Sequence, residues 1–259
     1  MQSHRCREGH TVVEGKVAVV TGGSRGMGRE ICRDLARRGF RVVVASRKAP
    51  ACEELAEELV AEFGAEAIGV GAHVGHWADC DALIDRTLDT WGRIDVLVNN
   101  AGMSPLYDSL GAVGEDLFDK VIGVNLKGPF RLAVRAGEAM QRGDGGQIVN
   151  ISSIAAVAPA PGELPYATAK AGLNALTLGL ARAFGPTVRV NCVMPGMFRT
   201  DISKAWGEEM FAQASRVPAG RIGEASEIVG AVRYLTSDDS TYTTGAVLKV
   251  DGGATWAPA

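Results

Sequence analysis

"KVAVVTGGSRGMGREICRDLARRGFRVVVAS", Lys16 to Ser46, is the stretch that decides how the chain folds. "KVAVVT" is a short run of small and β-branched residues, the pattern of a strand buried on both faces. A glycine-rich turn follows, then "MGREICRDLARRG", which reads as a helix ended by Gly39, then a second apolar run, "RVVVAS". Strand, turn, helix and strand in this order make a βαβ unit, which implies a parallel sheet with right-handed crossovers.

Working outward, the same alternation continues. "CEELAEELVAEFG" reads as a helix, "AEAIGVGAHV" as a third strand, "DCDALIDRTLDTWG" as a helix and "IDVLVNN" as a fourth strand. A long helix is expected over Glu115 to Met140, then a strand at "GQIVNIS" and a helix over Pro165 to Phe184. "VRVNCV" is a sixth strand, "ASEIVGAVRYLTS" a helix and "AVLKVDGG" the last strand. The pattern predicts one doubly wound α/β domain over residues 15–259, with residues 1–14 a short mobile leader.

Composition narrows the function classes. The net charge is −3, with no basic run, so there is no electrostatic footprint for nucleic acid. No apolar run reaches the roughly eighteen residues that span a membrane. The five cysteines (Cys6, Cys32, Cys52, Cys80, Cys192) are scattered without a CxxC pair. That argues against a disulfide framework or metal site and suits a cytoplasmic location.

Within the opening stretch, Gly22, Gly26 and Gly28 are spaced G-x-x-x-G-x-G between strand and helix. Such a turn lets backbone N–H groups approach a pyrophosphate at a helix N-terminus. The second strand ends at Ser46 and Arg47, where a reader of the ribose 2′-hydroxyl would place a carboxylate. Arg25 lies in the glycine loop itself. Two guanidinium groups at one corner favour a 2′-phosphate, hence NADP(H) over NAD(H).

"PYATAK", Pro165 to Lys170, sets a tyrosine one helical turn ahead of a lysine. Tyr166 and Lys170 then share a helix face, and a nearby ammonium lowers a phenol's pKa toward the range useful for proton transfer. Upstream, Ser152 and Ser153 leave the fifth strand at its carboxyl end, where ligands bind in open α/β sheets. Ser153 can hydrogen-bond a carbonyl oxygen, and Ser152 reads as a strand-end cap. Asn125 sits in the middle of a helix, where bending the helix or holding a water are the obvious reasons for it. At the end of the fourth strand, Asn99 and Asn100 can brace the sheet, while Ala101 and Gly102 leave room for a flat ring or ribose. Pro195 and Gly196 turn the chain after the sixth strand, and Thr200 can cap the next helix.

Taken together, T-G-x-x-x-G-x-G at Thr21, N-N-A-G at Asn99, Asn125, Ser153, Y-x-x-x-K at Tyr166 and P-G-x-x-x-T at Pro195 resemble the short-chain dehydrogenase/reductase family. "VPAGRIGEASEI" and "TTGAVLKVDGG" look like its 3-oxoacyl-acyl-carrier-protein reductase branch. The resemblance implies a seven-stranded parallel sheet, order 3-2-1-4-5-6-7, with helices on both faces, and often a homotetramer or dimer. It implies that Tyr166 exchanges a proton with a ketone or alcohol, that Lys170 tunes it and holds ribose, that Ser153 orients the carbonyl and that Asn125 holds a relay water. Ser24, Met27, Val74 and Phe198 join the residues named above as expected cofactor contacts. Where the family carries Asp or Asn to contact the adenine amine, this chain has His73, whose neutral ring is expected to accept that hydrogen bond.

The expected function is therefore an NADP-linked ketone reductase or alcohol dehydrogenase acting on a small molecule. A 3-oxoacyl thioester reductase, and a non-catalytic nucleotide sensor on the same fold, are the alternatives. The substrate is expected between Ala158–Pro165 and an apolar lid over Met197 to Arg216, carrying Trp206, Met210 and Phe211.

Overall fold

A computed structural model describes residues 15–200 and 216–256. Strands β1 (Val17–Thr21), β2 (Arg41–Ser46), β3 (Ala67–Gly71), β4 (Val96–Asn99), β5 (Gly146–Ile151), β6 (Val188–Pro195) and β7 (Val247–Val250) form one sheet. Its order is β3-β2-β1-β4-β5-β6-β7, and every pairing is parallel. The architecture expected from the βαβ pattern is the one observed. A two-residue parallel ladder, Phe198–Arg199 with Gly223–Glu224, stands apart from this sheet.

Helices α1 (Gly26–Arg37), α2 (Ala49–Phe63), α3 (Trp77–Trp91), α4 (Glu115–Ile122), α5 (Gly128–Arg142), α6 (Leu164–Phe184) and α7 (Val229–Leu235) cover both faces. The apolar strands account for the two cores. Val20, Val42 and Val44 pack with Ile31, Leu35 and Leu55 on one face, while Val19, Val43 and Leu97 pack with Leu83, Leu132 and Met140 on the other. Burying both faces is what the near-continuous apolar strands demand.

Two elements differ from expectation. The third strand stops at Gly71, so His73 and Val74 belong to the loop beyond it. The long helix is α4 and α5 joined by a π-helical turn, Gly123–Lys127. Pro129 has no N–H for the Asn125 carbonyl four residues back, so the α-helical ladder breaks there and the extra residue of a π turn absorbs the break.

Order 2-1-4 places the β1 and β4 exits side by side where the crossover direction reverses. A crevice at the carboxyl ends of the strands opens at that point.

Candidate active site

The β1 and β4 exits are knitted together. Asn100 Nδ2 donates to the Thr21 and Gly22 carbonyls at 2.9 and 3.1 Å, and the Asn100 and Ala101 amides both donate to Thr21 Oγ1 at 3.1 Å. Glycine is required by contact. A Cβ on Gly28 would lie 2.2 Å from Gly22 O, and one on Gly22, whose φ is +63°, would lie 2.9 Å from Ala101 Cα. At Gly26 a Cβ would come into ordinary contact with the Thr200 side chain at 3.5 Å, so the loop faces the segment that follows β6.

Arg25 is the N-cap of α1, with no side-chain cap and no acid in the first turn. A helix start left without a carboxylate or hydroxyl cap, reached through close-packed glycines, fits a pyrophosphate. The residues present therefore suit a dinucleotide.

At the β2 end, Ser24 Oγ donates to Ser46 Oγ at 3.0 Å, and Ser46 Oγ lies 3.0 Å from Cys52 Sγ. Arg25 and Arg47 are both exposed beside this chain of small polar groups. Beyond β3, His73 Nδ1 accepts the Gly75 N–H at 3.2 Å, and the ring stacks on His76 with centroids 4.4 Å apart. A neutral ring accepting at Nδ1 carries its proton on Nε2. Its free edge is thus a donor, the reverse of the acceptor expected from sequence. Val74 beside it is buried.

On the other side of the switch point, Gly102 brings the catalytic candidates together. A Cβ there would lie 3.1 Å from Asn125 Oδ1 and 3.6 Å from Lys170 Nζ. Asn125 is fully buried; its Nδ2 donates to the Met103 and Val121 carbonyls at 2.8 and 2.9 Å, and its Oδ1 accepts the Met103 amide at 3.2 Å. The side chain thereby clamps the loop after β4 onto the π turn.

Lys170 is also buried; Nζ donates to the Ile151 carbonyl at 2.7 Å and lies 5.6 Å from the centroid of the Tyr166 ring. Burial pushes the ammonium down to about 8. Tyr166 occupies the first turn of α6, where Pro165 fits because its missing N–H needs no partner. Burial pushes the phenol up to about 12; the Ser153 hydroxyl opposes that rise and the Glu163 carboxyl adds to it. Lys170 thus faces the ring, but desolvation is the largest influence on the phenol and only the Ser153 hydrogen bond opposes it. A difference titration of phenol absorbance, wild type minus Tyr166→Phe, should show no phenolate below pH 10. An ionisation near 8 would mean that Lys170 dominates even without ligand.

The cap expected of Ser152 is made by Ser153, which also stands beside Tyr166. Ser153 Oγ accepts the Ala155 N–H at 3.1 Å and caps the short turn Ile154–Ala156, while Ser152 Oγ, buried, donates to the Lys170 carbonyl at 3.2 Å. Ser153 keeps its O–H free to donate beside Tyr166.

Past β6, Pro195 is buried and Gly196 comes close enough to β7's exit that a Cβ would lie 2.8 Å from Asp251 Cα. Phe198 packs into the core, so it offers a ligand only its backbone; Met27 packs partly against the same core. The lid residues Trp206, Met210 and Phe211, and the helix that Thr200 was expected to cap, lie outside the described residues.

Sequence reasoning gave Thr21 no role of its own and passed over Tyr107 and Glu163. Tyr107 Oη donates to the Pro161 carbonyl at 2.7 Å and accepts the Leu164 N–H at 2.9 Å. A lone tyrosine in an irregular loop carries no spacing signal. Thr21 was readable as the strand residue before the first glycine, and Glu163 as the one acid in "APAPGELP".

Comparison with known proteins bears on the family and the fold. A family model described as Enoyl-(Acyl carrier protein) reductase matches residues 22–255. The chain is 39% identical to L-rhamnose 1-dehydrogenase (NAD(P)(+)) of Azotobacter vinelandii, covering 92% of this chain and 96% of that protein. It is 36% identical to the 3-oxoacyl-[acyl-carrier-protein] reductase of Escherichia coli, over 93% and 97% of the two chains. Among solved structures it is similar to the NADPH-dependent 3-quinuclidinone reductase of Rhodotorula rubra. The TM-score is 0.90 at 27% identity, over 99% of this chain and 98% of that one.

Proposed function

The chain belongs to the short-chain dehydrogenase/reductase family of NAD(P)-dependent oxidoreductases, and we propose that it interconverts a ketone and a secondary alcohol, with NADP(H) preferred and Tyr166 as the acid/base. The observation that carries this reading is the meeting of Tyr166, Ser153, Lys170 and Gly102 at the β4 and β5 exits, on the same edge of the sheet as the glycine loop after β1. A bound nicotinamide would supply or take up the hydride. The Ser153 O–H orients the carbonyl oxygen, and the Tyr166 phenol gives its proton to that oxygen as negative charge develops. A phenol pushed up to about 12 is fully protonated at neutral pH, the form that reduction requires. In the reverse direction the phenolate takes the alcohol proton. The Lys170 ammonium beneath the ring then stabilises it, and the Asn125 carbonyl, lacking the N–H of residue 129, can hold a water that returns protons to solvent.

The preference for NADP(H) is supported by Arg25 and Arg47 beside the Ser24–Ser46 pair, and by the absence of a carboxylate at the end of β2. Fluorescence titration should find that Arg47→Asp weakens NADPH about tenfold or more and NADH by less than about threefold, because a carboxylate repels the 2′-phosphate alone. Equal losses for both dinucleotides would refute the assignment.

Similarity to the E. coli protein keeps a 3-oxoacyl thioester among the substrates to test. Homo-oligomer formation is supported by exposed Phe118, Phe130 and Leu178 on α4, α5 and α6. A cytoplasmic setting suits the four described cysteines, all free and buried, and no helix of the described residues is long and apolar enough to cross a membrane. Incubating the protein with NADPH and a panel of ketones and 3-oxoacyl thioesters, while following absorbance of the reduced nicotinamide, tests the whole reading; turnover of none of them would sink it.

A further inference from the structure

The loop after β3 presents a group that proton transfer leaves unused. The His73 amide donates to Asp79 Oδ2 at 2.9 Å, Nδ1 accepts the Gly75 amide at 3.2 Å, and the ring lies on His76 with an angle of 21° between the planes. A Cβ on Gly75 would lie 2.9 Å from His73 Cε1, so glycine is what lets the ring fold back over its own loop. The proton sits on Nε2, and among the described residues no protein group accepts it. The ring is only half-buried, so that N–H can meet a ligand. Its backbone is anchored on both sides. The Ala72 amide donates to the Ser46 carbonyl at 2.8 Å, and Val74 packs so closely on the π turn that a Cβ on Gly128 would lie 2.0 Å from Val74 O. Ser46 in turn bonds Ser24 of the glycine loop. A pyrophosphate at the start of α1 and a ribose at the end of β2 leave the base next along the sheet edge, where β3 ends and His73 stands.

We infer that His73 reads the base of the dinucleotide by donating from Nε2, so that the site selects an acceptor on the purine edge rather than the exocyclic amine of adenine. The inference rests on the proposed dinucleotide lying along the glycine loop and the end of β2. Adenine presents an amine donor at C6 beside ring-nitrogen acceptors; hypoxanthine is the same ring with a carbonyl acceptor at C6. A fixed N–H facing the amine sets donor against donor, and one of them goes unpaired; facing the carbonyl, the two pair. A carboxylate at this position would do the reverse. His73 therefore sets base discrimination in this chain: it relaxes the preference for adenine and admits the 6-oxo purine dinucleotide.

The test is fluorescence titration with NADPH and with reduced nicotinamide hypoxanthine dinucleotide phosphate, on wild type, His73→Leu and His73→Asp. The quantity read is the ratio of the two Kd values, in which losses common to both ligands cancel. Removing the donor in His73→Leu should shift that ratio toward NADPH by about 3- to 10-fold, the worth of a neutral hydrogen bond. His73→Asp, which accepts from the amine and repels the carbonyl, should shift it by about 10- to 100-fold. Histidine nitrogen-15 spectra, assigned by difference from His73→Leu, should show the Nε2–H tautomer with and without ligand. Circular dichroism checks that each variant is folded; the Leu variant decides alone if the new carboxylate beside Asp79 prevents folding. A ratio that Leu leaves unchanged or moves toward the hypoxanthine ligand overturns the inference and leaves the dinucleotide reading standing, as does an Nδ1–H tautomer. A wild type that binds neither ligand takes the dinucleotide reading and this inference down together.

Discussion

Tyr166→Phe should lower kcat for ketone reduction by about a thousandfold while the Kd for NADPH stays within about twofold. A positioned general acid contributes roughly 10²–10⁴-fold, and Phe removes the proton while keeping the ring's packing. The ring stands over Lys170 and lines the cleft wall, so its apolar contacts remain in the variant. The proposed dinucleotide cradle lies across the switch point, at Thr21, Gly22, Gly28 and Asn100, none of which bonds the phenol. Single-turnover mixing of variant, NADPH and ketone should show binding without the decay of reduced nicotinamide. A rate within fivefold of wild type would move the proton to another donor. The groups then left beside the ring are Glu163 and the Ser153 hydroxyl.

Much of this was legible in the chain because its signals are periodic or local. The βαβ opening and the repeated apolar runs settle a parallel sheet, since only burial on both faces explains strands with so few polar residues. The glycine loop, "NNAG", Ser153 and "YATAK" mark where side chains gather at the strand ends, and Gly102, Lys170 and Tyr166 do come together there. What sequence could not show are the choices made by packing. Ser152 and Ser153 are interchangeable as letters, and only the Ala155 amide and the Lys170 carbonyl separate a cap from a brace. The His73 tautomer is set by the Gly75 amide two residues on. Asn125 in mid-helix was a visible oddity, but its clamp on Met103 needed the fold to bring two loops 22 residues apart into contact. Tyr107 and Glu163 escaped for the same reason: their meaning is a contact across 54 to 57 residues that no spacing rule encodes.

Gly28→Ala and Gly26→Ala should separate stability from phosphate binding. In the first, the new Cβ would sit 2.2 Å from Gly22 O and 2.5 Å from Asn100 Nδ2. Neither can yield easily. Gly22 is itself wedged against Ala101, and Asn100 is committed to two carbonyls. Forcing a methyl into such a site costs about 1–3 kcal/mol. For a domain of this size that is a melting temperature lower by roughly 2–12 °C. Because the displaced atoms shape the start of α1, NADPH affinity should fall about a hundredfold as well. In Gly26→Ala the methyl meets only Thr200, at 3.5 Å, so the core is spared and the cost is the left-handed φ of +53°, about 1–2 kcal/mol. The methyl would nevertheless stand on the face of the loop that a pyrophosphate would approach, and close approach of backbone to phosphate is what the glycine permits. NADPH affinity should therefore fall about as far as in Gly28→Ala, with a melting temperature lowered by only a few degrees. Thermal denaturation and fluorescence titration on both variants read the two effects apart. If Gly26→Ala binds NADPH as wild type does, the phosphates do not lie against this loop, and the strand–turn–helix at Thr21–Gly28 is a close-packed connection rather than a cradle.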